Sequence, residues 1–399
     1  MFRFLAAAPI GALLPLLLAM PASGDEPKAG GRPRARDLGV PFEGTPGPLD
    51  AITDVRGVEV GHTTLIAGEG KLVVGRGPVR TGVTAILPRG KGSAEPVFAG
   101  GFSLNGNGEM TGTAWIEESG LLEGPVMITN THSVGVVRDA VIAHRLRRGR
   151  ADPSAIWWSL PVVAETYDGY LNDINGFHVR AEHVFAALEG ARPGPVAEGN
   201  VGGGTGMICY EFKGGIGTAS RRLPDRQGGY TVGVLVQANH GRRGQLQVAG
   251  VPVGREIPEG ASGRRESGSI IIVIATDAPL LPHQVKRLAR RAALGLARTG
   301  SVSGDGSGDL FLAFSTVSPQ RGAGGRNPRV EYLEPHRMDP LFEATVQATE
   351  EAIVNALIAA ETMSGVNGRT VIGLPHDRLR EVLRKYNRLA EPGDRGRPR

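Results

Sequence analysis

Apolar residues alternate with other residues over 51–66 and 81–88, through Val58 and Val60 and then Val83, Ala85 and Leu87, so both segments read as strands. Pro125–Asn130 is a further apolar strand, ending at Asn130-Thr131-His132. The spacing becomes helical over Val136–Leu146, with Val137, Ala140, Val141 and His144 on one face, and His178–Leu188 forms a second helix. Tyr230–Val236 is an apolar strand running into Gln237-Ala238-Asn239. The polar stretch from Gly241 to Gly268 is the least core-like part of the chain and predicts an exposed, mobile loop. At Ser269 the character changes abruptly. Ser269–Ala275 is a nearly continuous β-branched run, expected to be a central strand covered on both faces. Pro282 suits the first turn of a following helix, whose stripe is Val285, Leu288, Ala289, Ala292 and Leu296, with Gly300 after its end. Leu310–Thr316 is another strand, Leu341–Thr362 a long and largely buried helix, and Asp377–Tyr386 a short terminal one. Strands and helices intermingle throughout, which predicts a layered α/β or α+β single domain.

The termini narrow that domain. Arg3 is the only charge in residues 1–24, Phe4–Met20 is uncharged but broken by Pro9 and Pro15, and Ala22-Ser23-Gly24 offers small residues for cleavage. This is the layout of a secretory signal peptide, and the protein is expected to be exported, periplasmic or secreted, with no membrane attachment after its removal. Residues 25–36 read as a flexible leader, 37–387 as the single catalytic domain, and 388–399 as a disordered tail. The net charge of +5 comes from 45 Lys and Arg against 40 Asp and Glu, and only 5% of residues are aromatic. That combination argues against nucleic acid as a partner. The single cysteine, Cys209, has no internal partner for a disulfide and lies in the apolar run Met207–Tyr210, which reads as a buried, inert thiol.

Motifs for metal or phosphate chemistry are missing. There is no H-E-x-x-H and no Cys/His cluster of zinc spacing, so no metal or other cofactor is expected. His132 and His240 end apolar strands, where a hydrogen-bonded structural role is the ordinary one. The glycines of Gly202–Gly206 lack the order of a phosphate loop and read as a tight turn. No G-x-S-x-G elbow is present. The Gly268-Ser269 junction is different, because a polar loop there runs directly into a buried strand whose first residue is serine. A serine hydroxyl needs an adjoining base. If the peptide bond before Ser269 were cut, the freed α-amine, with a pKa of about 7.7–8.0, would be that base.

The blocks around this junction carry a resemblance. They are Arg34–Gly39 with Gly44–Leu49, Ala51–Val55 with Gly61–Thr64, Thr129–Gly135, Lys213–Arg221, Val236–Asn239, Gly268–Leu280 and Gly306–Asp309. From about Arg34 to about Tyr386 the chain resembles the DmpA-type self-processing aminopeptidases, which include L-aminopeptidase/D-amidase-esterases and β-peptidyl aminopeptidases. The resemblance implies a four-layer α/β/β/α sandwich, similar to the N-terminal-nucleophile hydrolases but with different connectivity. It implies cleavage between Gly268 and Ser269 into an α and a β chain, with Ser269 as nucleophile and Ser307 and Asp309 orienting and polarising it. Asn239 matches the asparagine of the oxyanion hole, and Tyr167 a tyrosine lining the site. Glu165, in the same block as Tyr167, is a partner for the free ammonium of a small peptide or amino-acid amide substrate. Relatives assemble as homo-oligomers of αβ units. The β-peptidyl members carry glutamate at the place of Asp309, which speaks against a preference for β-amino acids.

Two other readings compete. An acyltransferase of the ornithine-acetyltransferase kind also processes itself, but at a threonine. A non-catalytic exported binding protein would need no serine at the loop-to-strand boundary.

Overall fold

A computed structural model of the chain describes residues 32–93, 95–149, 157–261, 263, 268–317 and 329–390. Its centre is the strand β11 (Ile270–Thr276), every residue of which is buried. Successive side chains of a strand point to opposite faces. Ile270, Ile272 and Ile274 accordingly pack in one apolar cluster with helices α5 (Pro282–Arg298) and α6 (Asp339–Ala359). Ile271, Val273 and Ala275 pack in another, which joins the two sheets. Each isoleucine so buried contributes roughly 1.5–3 kcal/mol, which is why an unbroken β-branched run can hold this position.

The large sheet has the order β4 (Leu121–Leu122), β3 (Val97–Ser103), β12 (Asp309–Ser315), β11, β10 (Thr231–Ala238), β9 (Gly215–Arg222). β11 lies parallel to β12, with α5 as the crossover, and antiparallel to β10. The smaller sheet has the order β1 (Glu59–Ala67), β2 (Val79–Leu87), β5 (Val126–Asn130), β6 (Val162–Thr166). Its outer face packs against α2 (Val134–Arg147) and α3 (Ala181–Glu189) through Val83, Ala85, Met127 and Val163. The result is the expected four-layer α/β/β/α sandwich. The glycine cluster of 202–206 lies against both sheets. A side chain at Gly203 would stand 2.2 Å from the Gln237 carboxamide, so close approach as much as turn geometry requires the glycines.

The strand read over 51–66 begins only at Glu59. Ahead of it, the Asp54 carboxylate accepts from the backbone N–H groups of Leu49 and Ala51 and turns residues 52–54 into one 3₁₀ turn. The loop read over Gly241–Gly268 is also corrected. Leu246, Val248, Val251, Val253 and Ile257 are buried, and Val253–Glu256 forms a helical turn. Their spacing fits neither helix nor strand, so periodicity did not reveal them. Strands β6 and β9 show no alternation either, because all or nearly all of their residues are buried regardless of face. The expected signal segment, residues 1–24, lies outside the described residues.

The leader read as 25–36 gives way to ordered chain at its end. Ala35 is fully buried and its N–H donates to Asn355. Arg36 forms a bidentate pair with Glu351 at 2.6 and 2.8 Å, Arg221 pairs with the same carboxylate at 2.6 Å, and Arg34 pairs with Glu198 at 2.8 Å. Of the tail read as 388–399, residues 388–390 are ordered, since the Ala390 N–H donates to the Gly39 carbonyl at 2.8 Å, and the rest lies outside the described residues. Glu351 is fully buried, and burial raises its carboxyl pKa. The Arg221 and Arg36 charges outweigh that effect and hold it below the ordinary value. Removing one partner of such a group strands the other charge in the interior. Glu351→Gln is expected to lower stability by about 3–5 kcal/mol, read as the shift of the urea midpoint. An unshifted midpoint would show that the N-terminal arm is not fastened here.

Candidate active site

Strand pairing assembles the site before any side chain is considered. In register, Ile270 of β11 pairs with Ala238 of β10 on one side and with Asp309 of β12 on the other. The residues one step outward, Asn239, Ser269 and Gly308, therefore meet at one end of the sheet. The Ser269 hydroxyl oxygen accepts from the Gly308 N–H at 3.0 Å, and the Ser269 carbonyl accepts from the Asn239 N–H at 3.1 Å. Ser269 is only 5% exposed. Gly268 lies hard against Asn239, where a side chain would come within 1.8 Å of the Asn239 carbonyl oxygen. Glycine at 268 is thus a requirement of space.

The other residues named from the sequence are brought to the same place. The Ser307 hydroxyl donates to Asp309 Oδ1 at 2.6 Å, and the Ile270 N–H donates to the same oxygen at 3.2 Å. Asp309 Oδ2 is buried with no hydrogen-bond partner. The Asn239 carboxamide is oriented from both ends: its oxygen accepts from the Ile208 N–H at 2.7 Å and its nitrogen donates to the Tyr167 carbonyl at 2.9 Å. One carboxamide N–H is left to point elsewhere. The smaller sheet supplies Glu165 from β6. Its carboxylate accepts from the Glu109 N–H at 2.9 Å and from the Thr131 hydroxyl. Gly108 ties it to the nucleophile, since a side chain there would touch both Glu165 and Gly308. Burial raises the Glu165 pKa, and the bonds from Thr131 and Glu109 oppose the rise. The Tyr167 ring is half-exposed and folds over Gly169.

Two neighbours escaped the sequence reading. Asn105 follows β3; its carboxamide oxygen accepts from the Asp309 N–H at 2.7 Å, while its nitrogen donates to the carbonyls of Ser303 and Gly304. It thereby holds the 303–309 loop in place. No motif marked it, because its partners lie some 200 residues away. His240 had been noted as a strand-end histidine with an ordinary hydrogen-bonded role. Its ring keeps such a role, buried against Tyr210 with Nδ1 hydrogen-bonded to Cys209 Sγ at 3.8 Å, while Nε2 has no partner among the described residues. Burial pushes its pKa down to about 4, and the nearby Asp309 opposes that shift. Cys209 is buried, as expected.

The chemistry follows from what surrounds the hydroxyl. Among the described residues, no basic side chain hydrogen-bonds to Ser269 Oγ; its partner is a backbone N–H. A cluster of backbone and carboxamide donors around a serine suits stabilisation of an oxyanion.

Comparison with known proteins agrees with this reading. Residues 50–371 match the model of peptidase family S58. The β-peptidyl aminopeptidase BapA of Sphingosinicella microcystinivorans is 58% identical over 377 residues, covering 90% of this chain and 93% of the relative. The solved L-aminopeptidase D-Ala-esterase/amidase of Ochrobactrum anthropi is 51% identical with a TM-score of 0.84, covering 90% of this chain and all of that one. A Burkholderia β-aminopeptidase is 52% identical with a TM-score of 0.80, covering 88% and 98%. The chain belongs to peptidase family S58, and its fold is that of these serine aminopeptidases.

The buried His240 ring gives a testable sign. Unfolded, it takes up a proton near 6.5; folded, it resists until about 4. The unfolded chain therefore binds more protons in that window. The contribution of the neutral ring is full above about 6.5 and is lost as pH falls toward about 4. Relative to a His240→Gln variant, the wild type should lose stability across this window by up to about 1.4 kcal/mol per pH unit. Parallel urea titrations at several pH values measure the difference, and a constant difference would mean that the ring takes up its proton as readily in the folded chain as in the unfolded one.

Proposed function

We propose that this serine aminopeptidase matures by cutting its own chain between Gly268 and Ser269. The observation that carries the reading is the nucleophile without a side-chain base. Ser269 Oγ attacks the Gly268 carbonyl carbon, the Gly268–Ser269 C–N bond breaks, and the hydroxyl proton passes to the departing nitrogen. Water then hydrolyses the resulting ester, leaving a Gly268 carboxylate and a Ser269 with a free amine and a free hydroxyl. The amine then serves as the base that the fold otherwise omits. In turnover it accepts the Ser269 proton while Oγ attacks the substrate carbonyl. The Asn239 carboxamide, with one N–H uncommitted, is the donor for the developing oxyanion, a contribution of about 3–4 kcal/mol, while the Gly308 N–H steadies the attacking hydroxyl. Ser307 and Asp309 orient the new amine terminus through the carboxylate that already holds the Ile270 N–H.

The substrate class is a small peptide, amide or ester with a free amine beside the scissile carbonyl. The relatives are named for β-peptidyl and for L-amino acid or D-Ala substrates, and a free amino terminus is common to the aminopeptidases among them. Glu165 is the anion assigned to that amine, since it is fixed by two donors and backs onto Gly308. Tyr167 lines the opening. The composition of residues 1–24 supports an exported enzyme, and the resemblance to oligomeric relatives supports an assembly of αβ units.

Purified wild type should give two chains on a denaturing gel, the smaller beginning Ser-Ile-Ile-Ile. Ser269→Ala should remain a single chain without amidase activity; normal cutting of that variant would assign the nucleophile elsewhere. Glu165→Gln should raise KM for aminoacyl p-nitroanilides by about tenfold or more, the loss of a charged hydrogen bond of about 1.5–3 kcal/mol, with a smaller change in kcat. An unchanged KM would release Glu165 from the ammonium site.

A further inference from the structure

Ile208–Cys209 (β7) and Phe212–Lys213 (β8) form a hairpin whose two turn residues, Tyr210 and Glu211, both have left-handed backbones at φ 50° and 60°. Tight hairpins favour that geometry, but with glycine or asparagine. For larger side chains each such residue costs roughly 1–2 kcal/mol, so the surroundings must hold it. Arg243 does so. Its side chain is almost wholly buried and donates to the carbonyls of Tyr210 and Glu211 at 3.0 and 2.8 Å, with its guanidinium 3.3 Å above the Phe212 ring. The Arg243 N–H also donates to Glu211 Oε1 at 3.0 Å.

The same two residues reach toward the junction. Arg243 Nη1 donates to the carbonyls of Ile257 and Glu259 at 2.9 and 2.7 Å, and Glu211 Oε2 accepts from the Gly263 N–H at 3.0 Å. On its other side the hairpin holds the oxyanion corner, through the Ile208 N–H to Asn239 Oδ1 and the Tyr210 N–H to the His240 carbonyl at 2.6 Å. One hairpin thus fixes both the Asn239 carboxamide and the chain that leads to Gly268.

We propose that Glu211 and Arg243 are positioning residues for maturation: by fastening Ile257, Glu259 and Gly263 they place the precursor chain for the cut between Gly268 and Ser269. The inference rests on the reading that cleavage occurs there. A substrate enters the site as a separate molecule and needs no contact with Ile257, Glu259 or Gly263. The scissile bond of the precursor is part of the chain, and a displacement of about 1 Å can slow such a reaction about a hundredfold. Self-cleavage should therefore depend on the Glu211 carboxylate, which accepts from the Arg243 and Gly263 N–H groups, and turnover should not, because the Asn239 carboxamide is held by the Ile208 backbone N–H.

The test uses the full-length chain as wild type, Glu211→Ala and Glu211→Gln. Appearance of the chain beginning Ser-Ile-Ile-Ile is followed on denaturing gels with N-terminal sequencing. Hydrolysis of alanyl and β-alanyl p-nitroanilides is measured per mole of processed enzyme. Glu211→Ala should mature at least about tenfold more slowly, with Glu211→Gln between it and wild type, while kcat and KM of the processed fraction stay within about twofold. Maturation of Glu211→Ala at the wild-type rate would overturn the proposal. So would a fall in kcat parallel to the fall in processing, which would make the hairpin a general support of the site. A wild type that stays in one piece would instead remove the cleavage reading and this inference with it.

Discussion

Parallel pairing of Ile270 with Asp309, and antiparallel pairing of Ile270 with Ala238, set three strand ends side by side. Everything reactive depends on that register. A slip by one residue would turn Ile271 to the helices and Ser269 away from Asn239. The slip is prevented by burial on both faces of β11, where isoleucines fill the space under α5 and α6 and the space between the sheets. The two neighbouring strand ends then hold Ser269 from both sides, the Gly308 N–H on its hydroxyl and the Asn239 N–H on its carbonyl.

Alternation also divides the polar groups into two sets. Ser269 and Asn239 share the inter-sheet parity of Ile271 and Leu235, on the face where Gln237 donates to the Thr166 hydroxyl of the smaller sheet. Asp309 shares the parity of Phe311 and lies on the helix side, where His240 and Cys209 are also buried. Ser269 is thus backed by a layer of buried polar groups. Low dielectric strengthens each of these bonds and makes an error in any of them expensive.

The order of the large sheet has a consequence for the proposed cut. The strands after Ser269, β11 and β12, lie between β3 and β10, which precede it. Scission would leave two chains whose strands interleave in one sheet. They would be held by ladders on both sides and by α6, which packs on β9 and β10. No linker is needed to keep such chains together. The pairs from Arg34 and Arg36 to Glu198 and Glu351 fasten the start of the ordered chain to the same body.

Sequence alone settled the features whose physics is local. The β-branched run at 269–275, the proline-initiated helix after it and the long apolar helix near the C-terminus each announce themselves by composition and period. The serine at the boundary drew attention because a weak nucleophile there needs a base. The blocks of resemblance supplied Asn239, Ser307, Asp309, Glu165 and Tyr167 as names, without positions relative to one another. Tertiary structure decided what local pattern cannot encode. It buried Leu246, Val248, Val251, Val253 and Ile257 within a polar-looking stretch, where Arg243 meets its carbonyl partners only in the folded chain. It brought Asn105 to the Asp309 backbone across 204 residues, and Glu165 to Gly308 across two sheets. Period and propensity report on neighbours in the chain. Which strand ends meet is set by pairing and burial between distant segments, and there the functional geometry was decided.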